Sequence, residues 1–104
     1  MEKVYLSGPI TGTEDYESRF NAEETRFKYA GYKVVNPVKQ CAKLGTGKAH
    51  EEYMKYILPF LLECDCIYLM EGWEESEGCK LEKLVADGCG IPVVELKILK
   101  RNWE

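Results

Sequence analysis

The sequence predicts an α/β fold, a single domain with a central parallel sheet and helices on both faces. Three observations carry this reading. Short β-friendly apolar runs alternate with segments of helical period along the chain. The run from Asp65 to Met70 is almost continuously apolar, the pattern of a strand covered on both sides. With 104 residues, 45% of them hydrophobic, the chain can build one core but not two.

Lys3 to Ser7 is the first strand, closed by Gly8-Pro9, a pair that ends regular strand pairing. From about Glu14 to Ala30 the spacing becomes helical: Tyr16, Phe20 and Phe27 share one face, and Gly31 follows as a C-terminal stop. Tyr32 to Val35 is the second strand, closed by Asn36-Pro37. Lys39 to Lys48 shows no periodicity, carries Gly45 and Gly47, and reads as a long loop near the site. A second helix follows, with Met54, Ile57, Leu58, Leu61 and Leu62 spaced as a buried stripe. Pro59 is expected to kink that helix or to begin a new one. Asp65 to Met70 is the third strand and Gly72 to Gly78 a polar connection. Cys79 to Cys89 fits a third helix with Leu81, Leu84 and Val85 inward, ending around Gly88 to Gly90. Ile91 to Leu96 supplies a fourth strand, and Lys97 to Glu104 is left unassigned.

Repeated strand–helix alternation implies right-handed crossovers and a strand order of 2-1-3-4, a three-layer arrangement of the flavodoxin-like or Rossmann-like kind. In such sheets ligands bind beyond the strand C-termini, where the chain order reverses, here between the first and third strands. The polar segments Ser7 to Thr13 and Glu71 to Gly78 leave those two strands at that end. The topology nominates the site.

A formal net charge of −4, without a long run of Lys or Arg, argues against a nucleic-acid polymer as partner. A small phosphorylated ligand is still compatible, because helix-start amides bind anions whatever the net charge. The chain shows neither a secretory signal nor a membrane-spanning apolar stretch, so a cytoplasmic location away from membranes is expected. The five cysteines are odd in number and irregular in spacing, and are read as free thiols. Cys64-Asp65-Cys66 has no partner pair or nearby His, so no metal is expected. Ser7 to Thr13 lacks the Ser/Thr-rich loop of flavin binders, and no cofactor is expected. A domain this small leaves much of its interior near the surface, which favours a homodimer or larger homo-oligomer to close a cleft.

Two segments could carry chemistry. Ser7-Gly8-Pro9-Ile10-Thr11-Gly12 is a turn with two glycines before a helix, where backbone can approach a ligand closely. It would serve equally as an ordinary strand-to-helix connection, since it matches neither GxGxxG nor a Walker loop. In the second segment, Gly72 to Glu82, Ser76 can cap the helix or help receive a phosphate. Glu82 lies in the opening turns of that helix, where it can face the sheet edge, although a carboxylate there is ordinarily solvated.

Tyr5-Leu6-Ser7-Gly8-Pro9-Ile10-Thr11-Gly12, Asn36-Pro37, Cys64-Asp65, Gly72-Trp73-Glu74, Ser76, Gly78 and Leu81-Glu82 with Ala86 and Gly90 together resemble the nucleoside 2-deoxyribosyltransferase-like superfamily, in its small bacterial and phage-type branch. The resemblance extends over nearly the whole chain. It implies a nucleoside or nucleotide ligand and N-glycosidic bond chemistry, with Glu82 as the nucleophile at C1′ and Tyr5 oriented against it. It also assigns substrate contacts to Ser7, Gly8, Pro9, Ile10, Thr11, Gly12, Asn36, Gly72, Trp73, Ser76 and Gly78. Ser76 follows the nucleotide N-hydrolase pattern and favours a 5′-monophosphate, whereas Thr11 stands where that branch has an Arg. Ile57 stands where the superfamily usually carries an Asp that binds or protonates the departing base. That substitution implies slow turnover, or a protein that binds its ligand without cleaving it. A further alternative is an interaction module on the same scaffold. Trp103 is a candidate contact from a neighbouring subunit.

Overall fold

A computed structural model describes residues 2–95. The sheet is four-stranded and parallel: β1 Lys3–Ser7, β2 Lys33–Val35, β3 Cys66–Leu69 and β4 Val93–Glu95, in the order β2-β1-β3-β4. This is the predicted fold and order. In β1 and β3, Tyr5 lies opposite Ile67 and Ser7 opposite Leu69. The helices are α1 Tyr16–Tyr29, α2 Pro37–Leu44, α3 His50–Leu62 and α4 Glu77–Gly88. Leu96, the tail from Lys97 to Glu104, and with it Trp103, fall outside the described residues.

The alternation of side chains along each strand builds two cores. Val4, Leu6, Cys66, Tyr68 and Met70 face α1, where Phe20 and Phe27 fill the gap. Tyr5, Val35, Ile67 and Leu69 face the other way, onto Met54, Ile57 and Leu61 of α3, Ala86 of α4, and Cys41 of α2. The predicted layers therefore hold, with one helix on one face and three on the other.

The structure corrects three expectations. Residues within the anticipated loop at 39–48 instead form most of α2, because Asn36-Pro37 starts a helix rather than merely closing a strand. Pro37 occupies the first helical position, where its missing N–H costs nothing, and the Asn36 side chain accepts from Val38 N at 3.0 Å. Pro59 does not divide the second predicted helix: α3 runs unbroken through it. The ring sits on the exposed side, while the buried stripe narrows to Met54, Ile57 and Leu61, leaving Leu62 50% exposed. The last correction concerns α4, which is turned by about one residue, roughly 100°. Cys79, Glu82 and Ala86 are buried, while Leu81 is 36% and Leu84 68% exposed. Of the three residues predicted inward only Val85 packs on the core, because the leucine pattern ignored the acid.

All five cysteines are free thiols. Among the described residues no helix is long and apolar enough to cross a membrane.

Asn36 also donates from its amide to Glu24 Oε1 at 3.0 Å, so its side chain ties α1 to the start of α2 on the face opposite Glu82. Glu24 is 7% exposed and is further held by Lys28 at 2.7 Å and Lys39 at 3.0 Å. Burial pushes its carboxyl upward, but the hydrogen bonds from Lys28, Asn36 and Lys39 outweigh that and hold it at about 2. Asn36→Ala is expected to lower unfolding stability by about 1–2 kcal/mol, read from the urea midpoint, through the lost cap and one lost bond to a buried carboxylate.

Candidate functional site

Glu82 lies one turn into α4, on the stripe that faces the sheet, and only 7% of it is exposed. Beneath it are the two β1 residues of matching parity. Tyr5, fully buried, donates its hydroxyl to Glu82 Oε2. Ser7, also fully buried, donates to Glu82 Oε1 at 2.8 Å. Each carboxylate oxygen thus receives one neutral hydroxyl donor, and no cation is among the partners that set its acidity.

The electrostatics follow. Burial pushes the Glu82 carboxyl up to about 7, with the Tyr5 and Ser7 hydrogen bonds pulling partly back. Burial first, then the charge of Glu82 and the bond to it, raise the Tyr5 phenol well above its ordinary range, so Tyr5 keeps its proton. Two thiols complete the surroundings. Cys79 is one turn before Glu82 on the same stripe, 2% exposed, and hydrogen-bonded with Ser7 and Ser76. Burial raises its thiol, as it raises that of Cys41 on α2, and Glu82 adds to both shifts. Sequence reasoning missed both. Cys41 was hidden in the segment read as a loop, and Cys79 could have been found as the i−3 neighbour of the acid.

The first loop, after β1, and the second, after β3, meet above this floor. Gly72 adopts φ +90, a left-handed conformation that starts a 3-10 turn over Trp73–Glu75, and a Cβ there would stand 3.3 Å from Pro9 Cγ. Gly8 is required by packing instead: a Cβ would lie 2.7 Å from Met70 Sδ and 3.1 Å from Phe20 Cζ. Its crowding is thus on the α1 side of the sheet. Ile10 is 39% exposed, and Thr11 and Gly12 form the exposed tip of the first loop. Arg19 on α1 donates to the Glu71 carbonyl at 2.8 Å and fastens the root of the second loop.

Ser76 caps α4, its hydroxyl accepting from Cys79 N at 3.3 Å. Trp73 is partly buried and packs against the core cluster that includes Tyr5, with Lys83 Nζ 5.9 Å from its ring centre. Gly78 faces α3: a Cβ there would be 3.5 Å from His50 Cε1 and 3.8 Å from Met54 Sδ. Tyr5, Ser7, Ser76, Cys79 and Glu82 are therefore gathered in one hydrogen-bonded group, with Pro9 and Gly72 touching above the two strand ends. Asn36 is not in it, since both ends of its amide are engaged with Glu24 and Val38. Ile57 is 3% exposed in the core beside Tyr5, a position that holds no polar group. Two surface clefts lie elsewhere. One, of about 280 Å³, is lined by Arg19, Glu23, Arg26, Tyr68, Met70 and Glu71, and the other by Glu2, Ala30, Gly31 and Tyr32. Neither reaches Glu82.

Among the described residues no cluster of three or more His, Cys, Asp or Glu could hold a metal ion. A lone desolvated carboxylate with its oxygens oriented by hydroxyls can act as a nucleophile or base, or stabilise an adjacent developing positive charge.

A family model described as Domain of unknown function (DUF4406) matches residues 2–95. Comparison with curated proteins gives no match. Among solved structures, the chain is similar to a 2-deoxyribosyltransferase from the psychrotolerant bacterium Bacillus psychrosaccharolyticus. The identity is 19% and the TM-score 0.71, over 89% of this chain and 70% of that one. At this identity the likeness shows the fold, which is that of a deoxyribosyltransferase.

The raised Glu82 carboxyl fixes the sign of a pH effect. Its folded value of about 7 lies above its ordinary 4.5, so its contribution to stability is complete below pH 4.5 and is lost as pH rises through 7. Glu82→Gln, which keeps the shape without the charge, should flatten the decline in melting temperature between pH 5 and pH 8. An unchanged slope in differential scanning calorimetry would show that Glu82 does not carry that cost.

Proposed function

We propose, from the premise that this chain belongs to the DUF4406 family and has a deoxyribosyltransferase fold, that it cleaves or exchanges the N-glycosidic bond of a 2′-deoxynucleoside or its 5′-monophosphate, with Glu82 as nucleophile. The observation that carries the reading is the burial of Glu82 under paired Tyr5 and Ser7 hydroxyls, at the strand ends where the chain order reverses.

In the proposed reaction a Glu82 carboxylate oxygen attacks C1′ and the base departs with the electron pair of the C1′–N bond. Water or a second base then takes the glycosyl group and frees the carboxylate. Tyr5 and Ser7 hold the two oxygens in register, and being neutral they leave the negative charge intact. That charge, desolvated, favours the oxocarbenium-like transition state. The first loop, Ser7 to Gly12, and the second, Gly72 to Gly78, which carries Trp73, would border the sugar and base. Ser76 and the amides at the start of α4 suit a 5′-phosphate. The ligand is a small molecule, and a second copy of the chain would enclose it.

One observation favours a second reading, a protein that binds its nucleotide without cleaving it. Ile57 is built into the core, so α3 offers no carboxylate at the position where the resemblance expects a base-protonating Asp.

Incubation with a panel of deoxynucleosides and deoxynucleotides, with free base measured by chromatography, separates the two. Cleavage should be visible, should rise from pH 5 towards pH 7 as Glu82 ionises, and should fall by at least about 10³-fold in Glu82→Gln. Ligand-dependent thermal stabilisation without any base release would leave the binder as the answer.

A further inference from the structure

The groups that interact with Glu82 are poor proton donors to a departing base. Tyr5 is committed to Glu82 and held well above its ordinary range, and the Cys41 and Cys79 thiols are raised by burial. A purine or pyrimidine that leaves as its anion is a poor leaving group, and a positioned acid at that step is typically worth about 10²–10⁴ in rate. A reaction run by Glu82 therefore lacks an acid within its own cluster.

The chain contains a single histidine, and the fold brings it here. His50 opens α3, and its Cε1 lies 3.5 Å from the point a Cβ of Gly78 would occupy. The Ser76 hydroxyl lies 3.9 Å from that same point. Gly78 is one helical turn before Glu82 on α4, and residues four apart on a helix stand about 5–6 Å from each other. The imidazole is solvent-exposed, so it can exchange protons with water between turnovers. Gly78 leaves the imidazole beside the backbone at the start of α4: an added Cβ would already be in van der Waals contact with it.

We propose that His50 is the general acid of this site, giving its proton to a ring nitrogen of the departing base while Glu82 attacks C1′. This rests on the glycosidase reading of Glu82. In the step, the C1′–N pair moves onto the base, the imidazolium proton neutralises it, and a C1′–O bond to Glu82 forms. Water then attacks C1′, the Glu82–C1′ bond breaks, and the now neutral imidazole accepts the proton that the water loses, restoring both groups.

The test compares His50→Asn and Glu82→Gln with the parent protein on two substrates, each protein first shown by thermal melting to be folded. One substrate is 2′-deoxyguanosine. The other is 7-methyl-2′-deoxyguanosine, whose base is already cationic and leaves without a proton. His50→Asn should lose about 10²–10⁴-fold in kcat on deoxyguanosine and less than about threefold on the methylated substrate, while Glu82→Gln loses both. Equal loss on both substrates, or none on either, overturns the proposal for His50 and leaves Glu82 standing. An effect confined to KM for the 5′-monophosphate would overturn it too, by making His50 a phosphate contact. If the parent protein releases no base from either compound, the glycosidase reading itself fails.

Discussion

The burial of one uncompensated carboxylate on the sheet-facing stripe of α4 dominates the arrangement of this molecule. An ionised acid in that position is costly, and nothing positively charged offsets it. The structure meets the cost only in part, with two hydroxyls projected from alternate positions of β1. That requirement fixes much else. Residues 5 and 7 must be polar-tipped on a strand whose other buried side chains, Val4 and Leu6, are apolar, and α4 must turn its leucines outward. Core packing alone would choose differently, and departures of this sort from the best packing are characteristic of functional sites.

A second buried acid shows how different the outcome can be. Glu24 exposes as little surface as Glu82, yet it lies nearer the protein surface, two lysines and an amide converge on it, and its carboxyl is held far below neutrality. It acts as a fixed charge that joins α1 to α2. Glu82, served by neutral donors, sits near the midpoint of its titration at physiological pH. One fold thus contains a permanently ionised acid and a convertible one, and the difference lies in the stronger desolvation of Glu82 together with its lack of cationic partners.

Much of the architecture was legible in the sequence, because strand and helix periods alternate cleanly and β3 is apolar throughout. Tyr5 and Glu82, widely separated in the chain, were linked by a motif resemblance rather than by periodicity. Hydrophobic spacing gave the wrong face for α4: Leu81 and Leu84 make a persuasive stripe, and no count of apolar positions weighs a buried acid against them. The residues of α2 looked like a loop because their glycines were visible and their cap was not. Asn36-Pro37 ends a strand and starts a helix with the same two residues, and only the side-chain bond to Val38 decides which reading is complete. Cys79 escaped notice because a cysteine in a helix is usually mere filling, and its value here comes from standing one turn from Glu82.

The staple of Asn36, Glu24 and Lys39 has a consequence beyond local stability. It fixes the start of α2 directly after β2, the outermost strand on its side, which pairs through only three residues, Lys33, Val34 and Val35. A rim that short, opened by a lysine and stopped by a proline, gives an incoming β-segment almost no ladder to extend. The same contacts that seat α2 therefore leave little open ladder along the β2 margin of the sheet.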